Sequence, residues 1–199
     1  MPDSHGSKIM SSLPSPSSGI LCRMMKLELP LIIHTAKPSK VIGTKQADLR
    51  YVDRNAVRVI VCNPSQEIII LYASKDGYYK LPGGGVEADE DHRISGEREA
   101  MEETGCKTVM DAECIATSEE WRNDLHQISY CYRARLVEET GRTELMDDEL
   151  ADGLGSDGWM GVELGLEKMR ACQPTSELGC FIKERDLFFV ETYAKSLAA

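Results

Sequence analysis

Tyr78-Tyr79-Lys80-Leu81-Pro82-Gly83-Gly84-Gly85-Val86-Glu87 opens the stretch that decides how this chain reads, and Arg98-Glu99-Ala100-Met101-Glu102-Glu103-Thr104-Gly105 closes it. The residues from Tyr78 to Leu81 predict a short strand, entered from the Asp76-Gly77 turn and ended by Pro82 and three glycines. Helix formers and acids then predict a helix over 91–104, with Gly105 just past its C-terminus. Gly96 inside it either marks a close backbone approach or is a defect tolerated at about 1 kcal/mol. On such a helix Glu99 and Glu103 are four positions apart, and Glu99 and Glu102 three, so the three carboxylates share roughly one side. They repel one another unless something positive lies between them. Hard divalent cations prefer oxygen ligands and fill that role, and the glycines let a carbonyl approach the same cluster. The bland alternative is a solvated acidic helix face. The Leu81-Pro82-Gly83-Gly84-Gly85 turn and Arg98 among the acids favour an organised site instead.

Working outward, β-rich runs at 56–62 and 67–72 are joined by Asn63-Pro64-Ser65-Gln66 and predict a hairpin. Further strands are expected over 108–117 and 126–137, separated by a polar turn around Trp121-Arg122-Asn123-Asp124. An acidic loop over 139–157 leads to a short strand at 158–161 and a helix near 163–171. A last helix is expected over 180–193, with Phe181, Leu187, Phe188 and Val190 on its core side. An apolar extended run at 27–33 begins the folded part. The pattern is α/β, a mixed sheet flanked by helices. Residues 1–24, rich in Ser, Pro and Gly, read as a disordered tail, with an organellar-targeting reading left open; 25–199 read as one domain.

Composition narrows the function. The formal net charge is -10, and eight acids fall between Glu87 and Glu103, a field that repels a nucleic-acid backbone. A polyanionic substrate is compatible with it only if metal ions neutralise both sides. The longest apolar runs, such as Ile68-Ile69-Ile70-Leu71, fall far short of the roughly 20 residues of a membrane span. Cys22, Cys62, Cys106, Cys114, Cys131, Cys172 and Cys180 are scattered without a Cys-x-x-Cys pair, which predicts reduced thiols and a cytoplasmic setting.

The segment resembles the signature of the Nudix hydrolases, MutT-like enzymes of diphosphate linkages. Gly84 begins it, Glu90 follows after five residues and Arg98-Glu99 after seven more, and Ala100, Glu102-Glu103, Gly105 and Cys106 complete it. Ala100 and Cys106 are small or weak occupants of apolar positions; every charged and glycine position agrees. The resemblance implies an α/β/α sandwich around a mixed β-sheet, and water attack on a diphosphate with Mg²⁺, or sometimes Mn²⁺. It implies Glu99, Glu102, Glu103 and the Gly83 carbonyl as metal ligands, with Glu90 and Arg98 behind them. Arg98 positions the carboxylates or, alternatively, meets a phosphate. The general base is Glu99 or comes from Glu119, Glu120 or Glu149; Glu149 is equally read as a solvated loop acid.

For substrate, Arg54 and Arg58 are expected either to approach phosphates or to pair with the excess acids. One of Tyr78 and Tyr79 is expected to stack on a base or bond a phosphate while the other enters the core. Trp121 is expected to bind or to pack over its own loop. The expected substrate is a small nucleotide, a nucleoside triphosphate or diphosphate derivative with a purine favoured. ADP-ribose, a diphosphoinositol polyphosphate, or a non-catalytic nucleotide-binding module are the alternatives. The expected assembly is a monomer or homodimer, with no nucleic-acid or membrane partner.

Overall fold

Asn63 turns the chain between the first two core strands: its carbonyl accepts from Gln66 N–H, and its side-chain oxygen accepts from Glu67 N–H at 3.0 Å. The computed structural model describes residues 40–198. The tail expected over 1–24 and the strand expected over 27–33 lie outside the described residues. The strands are β1 (Lys40–Gly43), β2 (Val52–Cys62), β3 (Ile68–Ala73), β4 (Tyr78–Lys80), β5 (Cys106–Arg122), β6 (Leu125–Glu139) and β7 (Leu154–Met160). The helices are α1 (His92–Thr104), α2 (Asp147–Ala151), α3 (Val162–Ala171) and α4 (Glu177–Leu197).

All seven strands join one mixed sheet in the order β1-β5-β6-β2-β3-β4, with β7 added on β3. β1 runs parallel to β5 and β2 parallel to β6, while the remaining pairs are antiparallel. β2 meets β3 only at the hairpin mouth, Cys62 opposite Ile68. The edge of β2 left free is taken by the glycine turn: Val57 N–H donates to Gly84 O and Val59 N–H to Pro82 O, both at 2.9 Å. The turn is thereby fastened to the buried half of β2.

The expected α/β/α arrangement is observed. Val57, Val59, Val61, Ala100, Met110 and Ala134 form the layer under α1. Ile60, Ile70, Leu166, Met169, Phe189 and Val190 form the layer under α3 and α4. Burial on both faces explains why residues 56–62 are apolar almost without a break. Gly96 resolves as a close approach, because a Cβ there would stand 2.7 Å from Met110 Sδ and 3.1 Å from a Val59 methyl. Small residues, Ser95, Gly96 and Ala100, let a largely polar helix lie down on the sheet.

Several boundaries differ from expectation. β5 and β6 extend to Arg122 and from Leu125, so Trp121 is on a strand and the turn shrinks around Asn123, whose φ is 51°. The acidic loop contains α2 and most of β7. On α4, Val190 is buried as expected, but Phe181, Leu187 and Phe188 are only half-buried. The centre of its inward stripe is Ile182, Arg185, Asp186, Phe189, Val190 and Tyr193. A hydrophobicity pattern passes over such a stripe because two of its members are charged. Among the described residues no helix is long and apolar enough to cross a membrane.

Candidate active site

α1 is placed by its ends. Asp91 caps it by accepting from Ile94 N–H, and Gly105, in the left-handed region at φ 69°, donates its N–H to Met101 O. Between these caps Arg98 gathers the acids. Its Nε and Nη2 donate to the two oxygens of Glu90 at 2.8 and 2.9 Å. Its Nη1 donates to Glu99 Oε1 and Glu102 Oε2, each at 3.0 Å. The hydrogen bond with Glu90 is the main reason the Arg98 pKa is raised, and the same contact lowers that of Glu90. Arg98 is thus hydrogen-bonded to three carboxylates.

Glu103 lies on the same side with separate partners. Gly83 N–H donates to its Oε2 at 2.9 Å and Lys80 Nζ to its Oε1 at 2.5 Å. Burial raises its pKa to about 7, opposed by Lys80 and reinforced by the neighbouring Glu149 carboxylate on α2. Burial raises the Glu99 pKa as well, with Arg98 opposing. Desolvated carboxylates in excess of the cations touching them call for further positive charge.

The glycines of the turn have distinct uses. Gly83 has φ 135°, and a Cβ there would stand 2.2 Å from Val57 O. A Cβ on residue 84 would stand 2.3 Å from Glu99 Oε1, so the absence of a side chain makes the space that this carboxylate occupies. The carbonyls of Pro82, Gly84 and Gly85 accept hydrogen bonds within the protein. That of Gly83 accepts none among the described residues, which leaves it available as an oxygen ligand. Glu99, Glu102, Glu103 and Gly83 O are the all-oxygen donor type that hard divalent cations take. As they stand, paired with Arg98 and Lys80, no group of three or more His, Cys, Asp or Glu side chains among the described residues is arranged to hold an ion.

The outer candidates separate. Glu149 is brought to Glu103 by α2, although its own Oε2 also accepts from Met146 N–H. Glu119 is taken by His126 Nε2 at 2.9 Å. Glu120 is buried with Arg185, Gln127 and Ser129. Arg54 is exposed with its guanidinium against Gly85, at the rim of the site.

Arg58 is not at the rim. It is 6% exposed and lies beneath the turn, donating from Nη1 to Val57 O at 2.8 Å and Gly84 O at 3.4 Å. Burial, followed by Arg185, lowers its pKa to about 10, so it stays charged at neutral pH. Expected either to approach phosphates or to pair with the excess acids, it supports the turn from below, on the side of β2 where Ile60 and Cys62 pack with Phe189 and Val190 of α4.

The aromatics take the following places. Tyr78 is 4% exposed and packs with Ala73 and Ile182, the core role foreseen for one of the pair. Tyr79 donates to Asp157 Oδ2 at 3.0 Å and lies under Lys168, away from the acids. Trp121 stacks on His126 at 3.8 Å, carries Lys45 Nζ 4.7 Å from its ring centroid, and meets Tyr51 edge-on. Its ring faces are engaged by the protein itself.

Lys80, Arg185 and Asp186 were not foreseen as site residues. Lys80 had a readable signal, a lone cation directly before the Leu81-Pro82 step. The other two had none beyond a charged pair on an otherwise amphipathic helix.

A NUDIX domain family model matches residues 52–174, more than half of the chain. This chain belongs to the Nudix family. The match spans the glycine turn, α1 and Glu149 but ends before α4, and a Nudix hydrolase is an enzyme of diphosphate linkages. Solved structures agree on the fold. A MutT protein from Methanosarcina mazei Go1 is 18% identical, with 76% of this chain and 99% of that chain covered and a TM-score of 0.53. A NUDIX hydrolase from Nitrosomonas europaea is 14% identical, covering 73% and 90%, at 0.53. A C. elegans Ap4A hydrolase is 15% identical, covering 73% and 98%, at 0.51. No curated protein matches the sequence.

Proposed function

We propose that this Nudix hydrolase uses Mg²⁺, or Mn²⁺ in its place, to hydrolyse a nucleoside triphosphate or nucleoside diphosphate derivative by attack of water on phosphorus. The observation that carries the reading is the single helix side on which Arg98 holds Glu90, Glu99 and Glu102 while Glu103 is held independently. Glu99, Glu102, Glu103 and the Gly83 carbonyl would hold the ion. When bound, a hard divalent ion neutralises phosphate oxygens and lowers the pKa of the attacking water.

The chain's own residues supply the rest. Arg98 keeps the mutually repelling carboxylates together on one side and so removes a cost of assembling the site. Glu149 comes from a different element and is not among the proposed ligands, so its carboxylate accepts the proton of the attacking water more readily than a ligand would. Arg54 at the mouth meets the anionic substrate. The small-substrate class is supported by the family and by the shared fold with an Ap4A hydrolase. Base stacking on Tyr78, Tyr79 or Trp121 lends it no support, so the purine preference rests on family resemblance alone.

Turnover of purine triphosphates, ADP-ribose, dinucleoside polyphosphates and diphosphoinositols at matched concentration, with products identified by mass spectrometry, tests the substrate class. Turnover of a nucleotide substrate that stops in excess EDTA, and that Glu102→Gln greatly reduces in folded protein, is expected. Full activity in EDTA refutes the metal. Diphosphoinositol turnover without nucleotide turnover refutes the substrate class.

A further inference from the structure

Lys80 stands on β4, where alternation sends it to the side opposite Tyr79, and its ammonium ends on Glu103. The contact is enclosed: the Lys80 side chain is 13% exposed and that of Glu103 1%. Arg98 is spent on Glu90, Glu99, Glu102 and Gly85, so Lys80 is the only basic side chain hydrogen-bonded to Glu103 among the described residues. The backbone beneath it is fixed on both sides, by pairing of Lys80 with Leu71 of β3 and by the Leu81 N–H bond to Asp186. Only the four-carbon stem is free to swing.

We propose that Lys80 is a tethered counter-cation, holding Glu103 until a divalent ion takes that carboxylate and then moving its ammonium onto an oxygen of the substrate's phosphate chain. The inference rests on the metal-dependent reading above and deepens it. An ammonium and a divalent ion on one carboxylate repel each other strongly in so dry a place. The displaced ammonium has little water to retreat into, and leaving it unpaired there is costly. An anion delivered next to the same carboxylates relieves both problems, and a di- or triphosphate chain is such an anion. Lys80 therefore competes with the metal in the free protein and binds substrate in the loaded one. The two effects have opposite signs, which separates this role from a structural one.

Mn²⁺ binding to substrate-free protein, followed by electron paramagnetic resonance, and steady-state kinetics together test it. Lys80→Met and Lys80→Gln are compared with Lys80→Arg, and circular dichroism confirms that each variant is folded. The neutral variants should bind Mn²⁺ about tenfold more tightly and show a KM about tenfold higher, the scale of one charge contact. Lys80→Arg, which keeps the cation, should stay near wild type in Mn²⁺ affinity. Unchanged or weaker Mn²⁺ binding in both folded neutral variants, or an unchanged KM, overturns the proposal while leaving the parent reading intact. A wild-type protein that binds no Mn²⁺ and cleaves no diphosphate overturns the parent reading, and this one with it.

Discussion

Asp186 on the last helix accepts the backbone N–H of Leu81 at 2.8 Å, tying α4 to the residue just before the glycine turn. Its carboxylate is fully buried and also takes Arg185 Nε at 2.6 Å, while Arg185 reaches Glu120 at 3.4 Å. Burial alone would lower the Arg185 pKa, yet Asp186 and Glu120 raise it above its usual value. Arg58 faces the same acids and props Gly84 from below. The turn that borders the acidic face is thus seated on a buried charged platform.

Removing one member of that platform leaves the others uncompensated. Asp186→Ala should destabilise the fold by about 3–5 kcal/mol, the usual consequence of breaking a buried ion pair from one side. Asp186→Asn keeps an acceptor for Leu81 N–H and should lose distinctly less. Urea denaturation of both variants checks the order, and equal losses would show that the Leu81 contact contributes nothing.

Gly84 answers to a steric argument. Its Cβ would lie 2.3 Å from Glu99 Oε1, so Gly84→Ala must move that carboxylate. Turnover should fall on the order of 100-fold, as expected for a displacement of about 1 Å in a reacting site. The melting temperature should move little, since the turn stays bonded to β2. Kinetics measured beside thermal unfolding decide between a local displacement and a general loss of structure.

Arg98→Lys keeps the charge but loses the planar fork that holds two oxygens of Glu90 and reaches Glu99 and Glu102 as well. Metal affinity should weaken by about 10- to 100-fold, in line with residues that orient metal ligands. A metal titration of the folded variant supplies the number. A wild-type metal response would remove Arg98 from its positioning role.

Glu149→Gln separates a base from a ligand. Loss of the proton acceptor should cost about 100- to 10,000-fold in turnover while metal affinity stays within a few-fold of wild type. Glu102→Gln should weaken both. Parallel calorimetric titrations and rate measurements on the two variants test the contrast; a large loss of metal affinity in Glu149→Gln would reassign Glu149 as a ligand.

What the sequence determined by itself is local or periodic. The bounds of α1, its Asp91 and Gly105 ends, the Asn63 hairpin turn and the shared side of Glu99, Glu102 and Glu103 all depend on residues a few positions apart, where helix and turn geometry leaves little freedom. The spacing from Gly84 to Cys106 likewise carried the family. Tertiary structure decided the rest. That Glu149 stands beside Glu103 while Glu119 and Glu120 are paired elsewhere depended on where a short helix after β6 lands, and the inward turn of Arg58 on which face of β2 meets α4. The buried pairs of Asp186 with Leu81 and Arg185 with Glu120 join residues 105 and 65 positions apart. A charge in a core is tolerable only when its partner is already there, and the partner is delivered by the packing of α4 on the sheet, which no pattern within the helix encodes.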